Sequence, residues 1–209
     1  MRLAQFPLEL VVYPGEPLNL HIFEGRYKDL MEDIRLHGIN FGITPVVNKS
    51  IMKWGTELQV VDIVKTYEDG RLDVKCMGLR AYTVDDYIPN SSQKSYDSAQ
   101  VTQVKLDVEL DPSKNIIIKE LAAELFTYLD QSKTFPEAND VPISYAVAHY
   151  VGFTLHQEYE FLKIRTESER QDVLIKHINR IIPTARSLKD TKDRIAMNGH
   201  FKEIKPPKL

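Results

Sequence analysis

The chain has 209 residues, 43% hydrophobic and 27% charged, with a net charge of −3. These values fit a folded globular protein of one domain or a closely packed pair, and exclude a fully disordered chain. Residues 1–110 carry twelve cationic against sixteen acidic side chains and residues 111–209 fifteen against fourteen, so neither half has the basic excess of a strong phosphate binder.

The N-terminal residues 1–5 lead into a strand-like segment and have no signal-peptide apolar region, which points to a cytoplasmic protein. Leu8, Leu10 and Val12 alternate, predicting a strand with one buried face. Pro14-Gly15 marks a turn, and Leu18, Leu20 and Ile22 predict a second strand. The period then changes. Tyr27, Leu30, Met31 and Ile34 follow i, i+3, i+4, i+7 spacing, predicting a helix from Glu24 to about His37, capped by Gly38. Phe23 and Tyr27 are expected in the core, and Arg26 beside Glu24 and Asp29 is expected as a paired surface charge.

Strand character returns at 39–47 and 57–67. Glu68-Asp69-Gly70 predicts a hairpin turn, and 72–77 and 79–84 are further strands, with Gly78 marking a bulge or sharp bend between them. Cys76, the single cysteine, lies in an alternating apolar run and is expected to be a buried structural thiol. Residues 89–98 read as a loop, and Val104, Leu106, Val108 and Leu110 as a last strand. Many short strands with turn signals suggest a small barrel or sandwich.

Composition switches at Asp111-Pro112, an N-cap followed by a favourable first helical residue. Ile117, Leu121, Leu125 and Leu129 form one helical stripe, with Ile118, Ala122 and Phe126 beside it. A loop is expected through Pro136 to Pro142, then a helix over 144–151 ending at Gly152. Thr154 with Gln157 and Thr166 with Glu169 are capping boxes for two more helices. In the last of these Val173, Leu174, His177, Ile178 and Ile181 share a face, and Pro183 is expected to kink or end it. Residues 198–209 are polar and Pro-rich, as expected of a mobile tail. The organisation predicted is α+β: a β-barrel at 1–110, a helical bundle at 111–190 and a polar tail at 191–209.

The series Phe6-Pro7-Leu8, Tyr13-Pro14-Gly15, Leu18 to Glu24, Arg26-Tyr27, Phe41-Gly42, Gly55-Thr56, Asp69-Gly70-Arg71 and Gly78-Leu79-Arg80 resembles the N-terminal substrate-binding domain of the Lon proteases. Leu155, Glu158, Leu162, Glu169-Arg170 and Val173-Leu174 resemble that family's short helix and following long helix. The resemblance implies a PUA-like pseudobarrel followed by a helical bundle, and a non-enzymatic module that binds unfolded or damaged polypeptide, as an adaptor in protein quality control. The family's peptidase uses a Ser–Lys dyad in a separate domain that nothing in this chain resembles. None of the nine glycines starts a P-loop pattern. Two departures from the family accompany this: the segment between Phe41-Gly42 and Gly55-Thr56 is short, and Cys76-Met77 stands before Gly78.

Other chemistry finds little purchase. The six histidines include no i, i+4 pair suited to a metal, the single cysteine excludes thiolate zinc sites, and no Gly-x-Ser-x-Gly elbow is present. No cofactor or metal is expected, and no apolar run is long enough to span a membrane. The candidate polypeptide anchors are Trp54, flanked by Lys53 and Gly55, and Tyr150, Phe153, Tyr159 and Phe161 from an aromatic run that also includes Tyr145. Packing between helices is the competing role for the run, and plugging a barrel end for Trp54. An exposed strand edge is a further route to polypeptide by β-addition. An apolar patch would serve equally as a face between copies of the chain. RNA binding is the alternative function, because PUA-like barrels can bind RNA, and the charge balance opposes it; an enzyme acting on a small molecule in the barrel is a third reading.

Overall fold

The structure, a computed structural model, describes residues 1–90, 94–107, 111–129 and 142–199, with side chains up to residue 197. Eight strands are described: β1 (Arg2–Gln5), β2 (Pro17–Ile22), β3 (Phe41–Ile43), β4 (Val46–Val47), β5 (Ser50–Ile51), β6 (Trp54–Thr66), β7 (Leu72–Ile88) and β8 (Ser98–Gln103). Helix α1 (Gly25–His37) follows β2; α2 (Pro112–Tyr128), α3 (Ile143–Ala148), α4 (Leu155–Leu162) and α5 (Glu167–Gly199) follow the strands.

The main sheet runs β2-β7-β6-β3-β1-β8, and β7 also pairs with β8, so five strands close into a barrel with β2 appended outside. Closure depends on β7. Its first residues pair with β2, its middle with β6 and its last stretch, residues 82–88, with β8. Register shifts opposite residues 78–80 and at Val84/Asp86 let a single strand turn this corner. Gly78 fits the bend because a Cβ there would lie 2.5 Å from the Tyr13 carbonyl oxygen. Gly38 and Gly70 adopt the left-handed backbone expected of a helix cap and a hairpin turn.

The barrel core gathers Phe41, Ile43, Leu58, Val74 and Cys76, with Tyr27, Leu30 and Met31 of α1 sealing one side. Burial pushes the Cys76 thiol pKa up to about 12, the behaviour of a structural thiol. Inside the barrel, the Tyr82 hydroxyl donates to Gln5 Oε1 at 3.0 Å, and the Thr44 hydroxyl donates to the same oxygen at 2.6 Å. All three residues are buried, so their polar groups satisfy one another.

The second core is helical and reaches into the β region. Val11, Tyr13 and Ala81 pack with Ile118, Ala122, Leu125 and Phe126 of α2 and with Leu174 and Ile178 of α5. Asp111 caps α2, accepting from the Ser113 and Lys114 backbone N–H groups. Thr154 and Gln157 form both hydrogen bonds of a capping box on α4. At α5 the Glu169 backbone N–H donates to Thr166 Oγ1.

Several expectations are corrected. Residues 8–12 are not a strand. Val11 and Tyr13 enter the helical core while Val12 enters the barrel core, so this segment is a connector buried on two sides. The last described strand is Ser98–Gln103, earlier than the alternation predicts. Val104 and Leu106 alternate because they pack on the helical core, and residues 108–110 lie outside the described residues. Phe23 is 62% exposed while Tyr27 is buried. The buried stripe of α2 is Ile118, Ala122, Leu125 and Phe126, and Ile117 and Leu129 are exposed. Helix α5 does not end at Pro183, which is exposed, and continues over residues 191–199. Of the loop predicted through Pro136 to Pro142, residues 136–141 lie outside the described residues, as do residues 200–209.

Candidate functional site

Residues 164–170 are held by a buried ion pair. Arg170 and Glu167 are both fully buried, with a guanidinium–carboxylate distance of 2.8 Å. The Ser144 hydroxyl donates to Glu167 at 2.6 Å, and Arg170 donates to the carbonyls of Ile164 and Asp107 at 2.8 and 3.2 Å. The Arg170 guanidinium also lies 4.4 Å from the centre of the Tyr145 ring. This network ties α3, the α4–α5 joint and the exit from the barrel into a single unit, and so fixes how α4 and α5 diverge. A second polar junction spans the seam between the two cores. His149 meets Glu158 at 2.7 Å and Glu16 at 3.1 Å. Burial opposes the charged imidazole, but the hydrogen bonds to Glu158 and Glu16 and their charges outweigh it, raising the His149 pKa to about 9.

Between α4 and α5 lies an open groove of about 730 Å³. Its walls are two helical faces. Gln157, Glu160, Phe161 and Ile164 stand at i, i+3, i+4, i+7 on α4 and the residues just after it, and Val173, Lys176, His177 and Arg180 repeat that spacing on α5. Phe153, from the turn before α4, closes one end. Phe161 is buried and forms the floor, with the Phe153 ring centre 5.4 Å away. The Phe153 ring lies 4.3 Å from that of His177. His177 Nε2 meets the Val151 carbonyl at 2.9 Å, which orients the imidazole. Burial lowers the His177 pKa, overcoming the hydrogen bond to Val151, so the ring is neutral at neutral pH. The rim is basic. Glu160 is neutralised by Lys163 at 2.7 Å, whereas among the described residues neither Lys176 nor Arg180 has a carboxylate partner. The lining holds no hydroxyl or thiol nucleophile. Among the described residues no three His, Cys, Asp or Glu side chains gather as a metal site, and no described helix is long and apolar enough to cross a membrane.

The sequence candidates fall in different places. Phe153 and Phe161 line the groove. Tyr159 is buried, its hydroxyl accepting from the Trp54 backbone N–H at 3.3 Å. Trp54 is the first residue of β6 rather than a loop residue, and it is partly buried against the helical core. Tyr150 is exposed, edge-on to Phe126 at 6.4 Å. Tyr145 is buried and stacks on Tyr13 at 4.8 Å. Sequence reasoning misses Ile164, Val173, Lys176 and Arg180. Their signal is the doubled i, i+3, i+4, i+7 spacing, obscured because charged residues alternate with apolar ones. The Pro14-Gly15 pair makes a turn, with the Glu16 backbone N–H bonded to the Tyr13 carbonyl and Gly15 at φ 84°.

The chain matches the family of the ATP-dependent protease La (LON) substrate-binding domain over residues 2–180. Among solved structures it is similar to a Lon N-terminal domain protein from Xanthomonas campestris, with a TM-score of 0.67 and 24% identity over 84% of this chain and 98% of that one. It is also similar to the N-terminal domain of Mycobacterium avium complex Lon protease, with a TM-score of 0.63 and 14% identity over 86% of this chain and 98% of that one. At these identities the likeness establishes the fold. No curated protein matches the chain.

Proposed function

Because the chain belongs to the Lon substrate-binding domain family, we propose that it is a polypeptide-recognition module that captures unfolded or damaged protein and delivers it to a protease as an adaptor. The observation that carries this reading is the α4–α5 groove. An open channel of about 730 Å³ floored by aromatic and branched side chains suits apolar side chains from another polypeptide. In this reading the helical region, residues 111–190, is the recognising unit, and the barrel at residues 1–110 is the scaffold that holds it. The module does no chemistry of its own. Its lining offers Gln157 and charged groups for orientation, and His177 has its Nε2 committed to the Val151 carbonyl.

The test is a binding isotherm between the protein and a fluorescently labelled, chemically unfolded casein. Saturable binding with a Kd on the order of tens of micromolar is expected, the weak regime of a small interface. No binding to unfolded protein at that concentration contradicts the reading. Steeply salt-dependent binding of RNA in its place would favour the nucleic-acid alternative.

A further inference from the structure

We infer that the α4–α5 groove takes an acidic amphipathic helix, so that the module selects among polypeptides by helix propensity and negative charge. This rests on the reading above and specifies its ligand.

Three observations lead here. The first concerns backbone chemistry. Both walls of the groove are helical and present no strand edge: their backbone groups are taken up within the helices, at the α4 capping box and in the turn that follows α4. An extended segment entering it would lose the water bound to its own backbone and find no strand edge in return. A helix carries its backbone hydrogen bonds with it. The second is geometric. Residues 173–180 span about 12 Å, two helical turns, at 1.5 Å per residue. A third helix with apolar side chains at i, i+3 or i+4, and i+7 would seat them in the space bounded by Phe153, Ile164 and Val173. Val173 is 39% exposed, which is apolar surface that such a helix would cover.

The third is electrostatic. Lys176 and Arg180 stand at i, i+4 on the exposed rim, where like charges repel along a helix. Of the acidic groups near them, Glu160 pairs with Lys163 and Asp172 with Lys114 at 2.6 Å, and Glu169 stands one turn before Val173. Arg180 instead has its guanidinium 3.3 Å from the His177 ring nitrogen. Carboxylates on the flank of an incoming helix would relieve this repulsion and fix its register.

The experiment uses three labelled peptides with the same leucine stripe, read by fluorescence anisotropy against the full chain. One carries Glu on its flanks, one carries Lys at those positions, and one carries the Glu residues with a central proline that breaks the helix. The Glu peptide is expected to bind at least about threefold more tightly than the Lys peptide at low salt, with the difference shrinking as salt rises. The proline peptide is expected to lose binding. Combining Lys176→Glu with Arg180→Glu should invert the order of the Glu and Lys peptides. A Val173→Glu variant, shown folded by circular dichroism, should bind neither. Equal affinity of the Glu and Lys peptides at low salt overturns the inference, as does a proline peptide that binds as tightly as the helical one. If unfolded casein binds and the Glu peptide does not compete with it, the inference fails while polypeptide recognition stands. If neither binds, both fail.

Discussion

The barrel and the helical region treat their polar and aromatic residues differently. In the barrel they turn inward: Gln5, Thr44 and Tyr82 satisfy one another, and Gly42 and Gly55 make room for the Tyr82 ring. In the helical region the polar cluster Arg170–Glu167–Ser144 is buried as a joint, and the helices it sets apart leave a groove whose rim carries cations that have no carboxylate partner among the described residues. The motifs that carry the family resemblance lie mostly in the barrel, whereas the surface proposed for binding lies between α4 and α5. A recognisable motif here marks what the chain needs to fold, and the proposed site rests on weaker spacing elsewhere.

Breaking the buried joint should have the largest effect. Arg170→Ala leaves the Glu167 carboxylate buried without its cation and is expected to cost about 3–5 kcal/mol, read from urea unfolding. If the loss is under about 1 kcal/mol, the joint does not hold the helical region together. The corresponding test in the barrel is Gly55→Ala. Its new Cβ would lie 2.5 Å from the Ile43 carbonyl oxygen and 2.6 Å from the Tyr82 hydroxyl, and a loss of about 1–3 kcal/mol is expected.

The seam between the regions should respond to pH. His149 has its pKa raised from 6.5 to about 9 by Glu158 and Glu16 against the opposing effect of burial. Its stabilising contribution is therefore complete below 6.5 and is lost as pH rises through about 9. Unfolding free energy should fall by about 1–3 kcal/mol across that window, and His149→Gln should remove that component of the slope. An unchanged slope in the variant would mean that the seam is held by packing alone. The smallest effect is expected at Phe23, 62% exposed: Phe23→Ser should change stability by less than about 0.5 kcal/mol by thermal unfolding.

The same contrast separates what is legible in the sequence from what is not. Helix α1 with its Gly38 cap, the Gly70 hairpin, the Asp111 cap and the Thr154–Gln157 capping box are readable because each is a local rule met within a few residues. Residues 8–12 mislead because Leu8, Leu10 and Val12 do share one side, packed on the barrel core, while Val11 packs on the helical core, and a buried connector shares that one-dimensional pattern with a strand. Pro183 fails as a helix stop because the flanking Ile178 and Ala185 are buried in the helical core, and that packing outweighs the lost hydrogen bond. At the site, Phe153 and Phe161 are visible as aromatics. Val173, Lys176 and Arg180 are not, because a groove depends on the angle between two helices, set by a buried joint that reaches from Ser144 to Arg170.

The most direct test of the central claim sets the two regions against each other. Val173 lies in the helical groove, and Val61, 62% exposed on β6, is an apolar side chain on the outside of the barrel. Binding of labelled unfolded casein should be measured for Val173→Glu and Val61→Glu at matched, verified folding. The account predicts that the groove variant loses at least about tenfold in affinity, equivalent to about 1.4 kcal/mol, while the barrel variant stays within about twofold of the parent. Loss of binding in Val61→Glu with full binding in Val173→Glu would place recognition on the barrel and contradict it.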